Sequence, residues 1–221
     1  MPVFTPEYLH KVAYHIYRAK GTPEDEAEIV ARHLVKANLA GHDSHGIIQT
    51  PTYVERIDVG HIVPGAPFEV VKEAPCTAVI NGNWGFGFVV TEKATRMAIE
   101  KARTNGVAAI TVHHQSHIGR LGDYPTMMAE EGMIGMITAD SGAAPKHVAP
   151  FGGIARKLGT NPICIGMPSN LDGPVLMDMA SSTVALGKIA LARSRKEEIP
   201  VGWIVDKDGN PTTDPNDYYS G

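Results

Sequence analysis

Cysteine is nearly absent: among 221 residues only Cys76 and Cys164 carry thiols, far apart and outside any Cys-x-x-Cys or Cys/His spacing. A disulfide framework and a structural zinc site are thereby excluded, and both thiols are expected to be reduced and largely buried. Basic charge is not in excess, with 20 Lys and Arg against 24 Asp and Glu and a net charge of -4. Without a basic run there is no electrostatic footprint for nucleic acid, so the partner is expected to be a small molecule. No apolar run approaches the roughly 18 to 20 residues needed to cross a bilayer. The first residues, MPVFTPEYLHK, lack a charged stretch followed by an apolar one, so the expected location is cytoplasmic and no membrane partner is expected.

Two nucleotide-binding signatures are also missing. Gly85-Phe86-Gly87 has the first half of a G-x-G-x-x-G spacing but continues into Phe, Val and Val, and Gly187-Lys188 lacks the upstream glycine of a phosphate loop. A nucleotide, if one binds, must be held in another way.

What is present is clearly punctuated. Thr5-Pro6-Glu7 and Thr22-Pro23-Glu24 each combine a capping hydroxyl, a proline and an early acid, and each precedes an apolar stripe at helical spacing. A third helix is expected after Thr50-Pro51, with Tyr53, Val54 and Ile57 on its apolar face. These helices suggest an N-terminal helical subdomain over 1–63, and the rest, 64–221, reads as alternating strands and helices. FEVVKEAPCTAVINGN contains β-rich runs, TEKATRMAIEKARTNG reads as a helix capped by Thr91, and VAAITV as a buried strand. A short helix near Tyr124 to Glu131 and the strand MIGMITAD follow. Residues 141 to 162 form a long Gly/Pro loop of the kind that usually binds something. NPICIGMP and PVLMDMA are further strands, a helix runs through Val184 to Ala192, and a last strand precedes an Asp-Gly turn.

Three segments carry chemistry. In AGHDSHGIIQT, residues 40 to 50, Gly41 is a helix stop and Asp43 or Ser44 a typical cap, but capping does not explain His45. A histidine oriented by a neighbouring hydroxyl or carboxylate is suited to general acid or base work. VHHQSHIGRLGDY, residues 112 to 124, begins where a strand ends, a common place for ligand-facing groups. Its histidines suit cofactor binding or proton transfer; a metal site pairing His113 or His114 with His117 needs a helix that the glycines oppose. Asp178 lies in the otherwise apolar VLMDMASS, where a carboxylate needs a partner or caps the next helix.

Together these stretches resemble the malate/L-lactate dehydrogenase family of NAD(P)-dependent 2-hydroxyacid dehydrogenases, which is unrelated to the Rossmann-type enzymes. The matching stretches are AGHDSHGI with PTYVERI, INGNWGFG, SHIGRLGDY, VAPFGG, LGTNPICIG, DMASS with GK, and the P-x-GW-x-x-D-x-DG-x-PTTDP run. They occur in order over nearly the whole chain, and HDSHG with HIGRLG is most similar to the hydroxycarboxylate dehydrogenase branch.

The resemblance implies an α/β (α+β) fold: a helical subdomain and a cofactor domain with a mixed, largely antiparallel sheet. It implies NAD or NADP as cofactor, a small 2-oxo or 2-hydroxy acid as substrate, a homodimer and no metal. His45 is expected to donate or accept the substrate proton with Ser44 and Asp178 as a relay, and His117 is its rival. His117, Ile118, Gly119, Arg120 and Leu121 are expected along the cofactor, with Gly159, Asn161, Asp178, Met179 and Ala180 at its nicotinamide end. Gln49, Ser141 and Thr160 are expected to touch substrate. Many members carry arginine where this chain has Gln49, and a guanidinium makes paired charged bonds to a carboxylate that glutamine does not. Arg120, Lys146 and His147 are the candidate replacements. The family is usually longer, so the chain is expected to be C-terminally incomplete. Rival readings are a reductase of cyclic imino acids or a dehydrogenase of ureido acids on this scaffold, or an inactive cofactor-binding or oligomerising module.

Overall fold

The computed structural model describes residues 3–140 and 146–220. Its first helix, α1 (Pro6–Ala19), starts as the sequence dictates: Thr5 Oγ1 accepts from the Tyr8 amide at 3.2 Å and Pro6 occupies the first turn. Helix α2 (Glu24–Leu39) differs at its start, since Pro23 takes the cap position and the Thr22 hydroxyl makes no cap bond. Thr22 is instead buried with its neighbours in the helical core. Two 3-10 turns, 43–45 and 47–49, lead into α3 (Thr50–Asp58). Ala13 and Tyr17 of α1, Val30, Ala31 and Leu34 of α2, and Tyr53 of α3 close one apolar core.

That core does not end with the third helix. Phe86, Phe88 and Val89 belong to it, and the latter two open α4 (Gly87–Asn105). Helix α4 therefore begins four residues before the expected cap at Thr91. The first turn is buried all round, so its apolar residues run consecutively and show no helical period. Thr91 lies inside the helix and donates to Gln115 Oε1 at 3.0 Å.

Strands β1 (Glu69–Glu73), β2 (Thr77–Asn81) and β3 (Ala109–His113) form one sheet in that order. β1 pairs antiparallel with β2, and β2 pairs parallel with β3, with Thr77 opposite Ala109 and Asn81 opposite His113. A parallel pair needs a crossover, which α4 supplies, and Ala78, Ile80 and Val90 pack together beneath it. The loops after β2 and β3 consequently leave the sheet at the same end. They are tied by Gly82 N to His113 O at 2.9 Å, Trp84 N to His114 O at 2.7 Å and Ser116 N to Gly85 O at 3.2 Å. Helix α5 (Asp123–Glu130) follows.

β4 (Gly135–Thr138), β5 (Ile163–Met167) and β6 (Val175–Met179) make a second three-stranded sheet in that order. α6 (Leu186–Arg195) is followed by a two-stranded antiparallel pair, β7 (Ile204–Val205) with β8 (Pro211–Thr212), and by α7 (Asp217–Ser220). Asp206 closes the expected Asp-Gly turn, its Oδ1 accepting from the amides of Asp208 and Asn210 at 2.9 Å each. The strands are thus mixed in sense, as expected, but spread over three small sheets.

By compactness the chain divides into two units, Met1–Gly135 with Gly166–Val175, and Met136–Ile165 with Leu176–Gly221. This division differs from the boundary expected at residue 63, because α4 shares its first turn with the core of α1 to α3. Cys164 is buried, whereas Cys76 is only partly so. Among the described residues no helix is long and apolar enough to cross a membrane.

Candidate active site

The HDSHG segment is held by α2. Asn38, the penultimate residue of that helix, donates from Nδ2 to Asp43 Oδ1 at 2.6 Å and accepts at Oδ1 from the Ile47 amide at 2.9 Å. One carboxamide thus spans the loop, and Gly46 passes against it so closely that a methyl group there would overlap the Asn38 side chain. Neither 3-10 turn has a side-chain cap, so the expected capping role of Asp43 or Ser44 is not what these residues do. Asp43 is spent on Asn38, and Ser44 Oγ lies 3.0 Å from His45 Nδ1. Gln49 turns back and donates from Nε2 to the Ser44 carbonyl at 2.6 Å. Gly46→Ala is expected to push this loop off Asn38 and destabilise the protein by about 1–3 kcal/mol, the usual cost of forcing an extra carbon into a packed site. Chemical denaturation, with amide exchange at Ile47 as the local reporter, measures it.

The βαβ unit delivers the second histidine. Gly87, at the start of α4, donates its amide to Ser116 Oγ at 2.8 Å. A methyl group on Gly87 would sink into the Ser116 and His117 carbonyl oxygens. The half fingerprint Gly85-Phe86-Gly87 is therefore a close approach of helix to the His117 loop, not a pyrophosphate turn. His117 comes to rest with its ring centroid 5.5 Å from that of His45, the planes 30° apart. Its Nδ1 lies 2.5 Å from the Tyr53 hydroxyl.

Burial pushes the pKa of His117 down to about 4, and the adjacent charges of His45 and Arg56 push the same way. His117 is exposed to solvent, so water tempers both the burial and the charge contributions and leaves their common direction. The lowered pKa favours the neutral form of His117, and each histidine of the pair has a hydroxyl at Nδ1, Ser44 Oγ on His45 and the Tyr53 hydroxyl on His117.

Behind the loop stands a network that sequence reasoning missed. His33 of α2 is 2% exposed and sits between two carboxylates, with Nδ1 3.0 Å from Asp123 Oδ2 and Nε2 3.0 Å from Glu92 Oε2. Glu92 also accepts from Arg32 and Arg96, and Asp123 from Arg120. Burial alone lowers the pKa of His33, but the bonds to Asp123 and then Glu92 outweigh it, and the net direction is up. Burial raises Glu92 and Asp123 in turn, and the His33 bond and neighbouring arginines bring both below the ordinary carboxylate range. One imidazolium thus joins α2, α4 and α5, and the Tyr124 hydroxyl extends the tie by donating to Ile118 O at 2.6 Å.

The remaining expected residues divide by unit. Ile118, Gly119 and Leu121 are buried, which leaves their main chain for any ligand, and the Arg120 guanidinium is engaged by Asp123. In the second unit, Thr160 O accepts from the amide and hydroxyl of Ser181. Asn161 has a positive φ of 42°, and its Oδ1 is buried without a partner among the described residues. Gly159 is buried, Asp178 and Ala180 partly so, and Met179 is exposed on β6. His147 Nδ1 pairs with the Tyr218 hydroxyl at 2.8 Å, and Lys146 Nζ lies 3.7 Å from Asp140 Oδ1. Ser141 lies outside the described residues. Among the described residues no group of three or more His, Cys, Asp or Glu side chains is placed to hold a metal ion.

Comparison with known proteins gives the family of the chain. The profile of the malate/L-lactate dehydrogenase family matches residues 4–221. A malate/(S)-sulfolactate dehydrogenase of Methanothermus fervidus is 42% identical over 219 residues, which cover 99% of this chain and 63% of that one. The solved sulfolactate dehydrogenase from Methanocaldococcus jannaschii superposes with a TM-score of 0.92 at 39% identity, over 100% of this chain and 63% of its own. The solved delta1-piperideine-2-carboxylate reductase from Pseudomonas syringae does so with a TM-score of 0.91 at 27% identity, over 99% and 65%. The chain spans between 58% and 63% of the length of the first curated relatives it matches.

Proposed function

The chain belongs to the malate/L-lactate dehydrogenase family, and from that premise we propose that it carries out hydride transfer between NAD or NADP and C2 of a small 2-hydroxy or 2-oxo acid. The observation that carries this reading is the juxtaposition of His45, with Ser44 Oγ on its Nδ1, and the neutral His117.

The nicotinamide, when bound, supplies or accepts the hydride; the protein aligns the reactants, moves a proton and stabilises charge on the reacting oxygen. The residues present suit such a group on one count. Asn161 Oδ1 is a buried acceptor with no partner among the described residues, which a carboxamide N–H would satisfy. Gly159, Asn161, Asp178, Met179 and Ala180, and the main chain of His117 through Leu121 with Arg120, are the residues we assign to holding it. In the reducing direction protonated His45 gives its proton from Nε2 to the substrate oxygen. Ser44 on Nδ1 fixes the ring, and Asp178 is assigned to the same relay. Ser141, Thr160 and Gln49 are assigned to substrate. Gln49 does so while its amide nitrogen braces the Ser44 carbonyl, so its side-chain oxygen is the part offered to a ligand.

A second reading has its own support: likeness to a reductase of a cyclic imino acid leaves C=N bonds open as substrates on this scaffold. The family likeness also supports a homodimer working in the cytoplasm. The test adds NADH or NADPH to the protein carrying this chain and follows nucleotide fluorescence. Loss of reduced-nicotinamide absorbance is then followed with panels of 2-oxo acids and cyclic imines. Turnover of 2-oxo acids supports the first reading, turnover of imines alone moves it to the second, and failure to bind either nucleotide overturns both.

A further inference from the structure

Tyr53 stands outside both histidine motifs, yet it touches the site at its most constrained point. It is 1% exposed, its ring packs edge-on to Phe88 at 5.9 Å, and its hydroxyl lies 2.5 Å from His117 Nδ1. Among the described residues that hydroxyl has no other hydrogen-bond partner. We propose that Tyr53 is a positioning residue that locks His117 in the tautomer bearing its proton on Nε2, so that His117 serves as a neutral hydrogen-bond donor to a substrate oxygen and not as the base.

The argument is one of donors and acceptors. A buried O–H left without an acceptor costs free energy, and His117 Nδ1 is the acceptor within reach. Were Nδ1 to carry the proton, the phenol would accept and its own hydrogen would be stranded in the core. Tyr53 keeps that hydrogen: burial raises its pKa and nearby Tyr17 adds to this, with only Arg56 opposing. A neutral imidazole that accepts at Nδ1 must carry its proton at Nε2. Charging the ring would set an N–H against the phenol O–H, beside His45 and Arg56, the charged or titratable groups that face it from the preceding turn and from α3. His117 Nε2 has no protein partner among the described residues, and solvent reaches the ring, so the N–H is offered outward. The acceptor it suits is a carboxylate or carbonyl oxygen beside His45; this identification rests on the proposed function, whereas the tautomer does not.

The test reads ring nitrogens directly. In nitrogen-15 spectra of the histidine-labelled protein, with His117→Gln assigning the signals, His117 is expected as the Nε2–H form without titration through neutral pH. Tyr53→Phe keeps the ring and removes the donor. The Nε2 preference is then expected to fall to a mixture of tautomers and the titration midpoint to rise, since the neutral form has lost its bond. In turnover, Tyr53→Phe is expected to raise KM about tenfold with a smaller change in kcat, the pattern of lost binding rather than lost proton transfer. An Nδ1–H tautomer in the unmodified protein, or an unchanged tautomer in Tyr53→Phe, overturns the proposal. The expected tautomers in a protein that turns over neither 2-oxo acids nor imines would uphold the lock and sink only the proposed reaction.

Discussion

Replacing His33 with alanine is expected to destabilise the protein by about 3–5 kcal/mol, the cost of stranding buried charges when one partner of a buried ion pair is removed. Glu92 and Asp123 are 4% and 5% exposed, so the two carboxylates would face each other across the vacated space with little water to screen them. Arg32 and Arg96 remain for Glu92 and Arg120 for Asp123, which keeps the loss from growing further. Denaturant unfolding of both proteins at one pH measures the difference.

The same network sets a pH profile. Because His33 is raised from its ordinary 6.5, its contribution is complete below 6.5 and is lost as pH climbs through the folded value. Glu92 and Asp123 are lowered from 4.5 and 3.8, so theirs are complete above those values and are lost as pH falls through the folded ones. Stability from this source is therefore fullest between pH 4.5 and 6.5 and declines on the alkaline side. His33→Ala should remove that alkaline slope. An alkaline decline that persists in the variant would assign it to other groups.

His45→Ala is expected to lower kcat by about a hundredfold or more, the range for removal of a general acid or base. His45 is partly exposed on a 3-10 turn and belongs to no apolar core, so the fold should survive its truncation. Ser44→Ala leaves the imidazole present but removes the hydroxyl from Nδ1, and should cost less. The comparison with His117→Gln is decisive for roles. If His45→Ala keeps turnover while His117→Gln loses it through kcat at unchanged KM, the assignment of the proton to His45 is wrong.

The signals that were local in the sequence were readable there. Thr5-Pro6-Glu7 announces α1 because cap, proline and first-turn acid act within four residues, and the HDSHG and HIGRLG segments stand out because histidines between glycines have no packing role. The network of His33 left only a trace. Its partners lie 59 and 90 residues away, and the one local hint is a charged residue within the apolar spacing Val30, Leu34, Ala37. Glu92 leaves the same trace between Phe88, Val89 and Ile99. Tyr53 reads correctly as the buried face of α3, but what its hydroxyl does is decided by a loop 64 residues on. The first turn of α4 was illegible for the opposite reason, since burial on every side erases the periodicity by which a helix is recognised.

Gln49 carries a lesson for redesign. Its side chain is a strut under the turn that carries His45, because the amide nitrogen holds the Ser44 carbonyl while Ser44 holds His45. Installing a guanidinium at this position would remove scaffolding as well as add charge. An arginine swung toward a ligand would leave that carbonyl without its donor, so a useful variant library would vary Ser44 and Gln49 together.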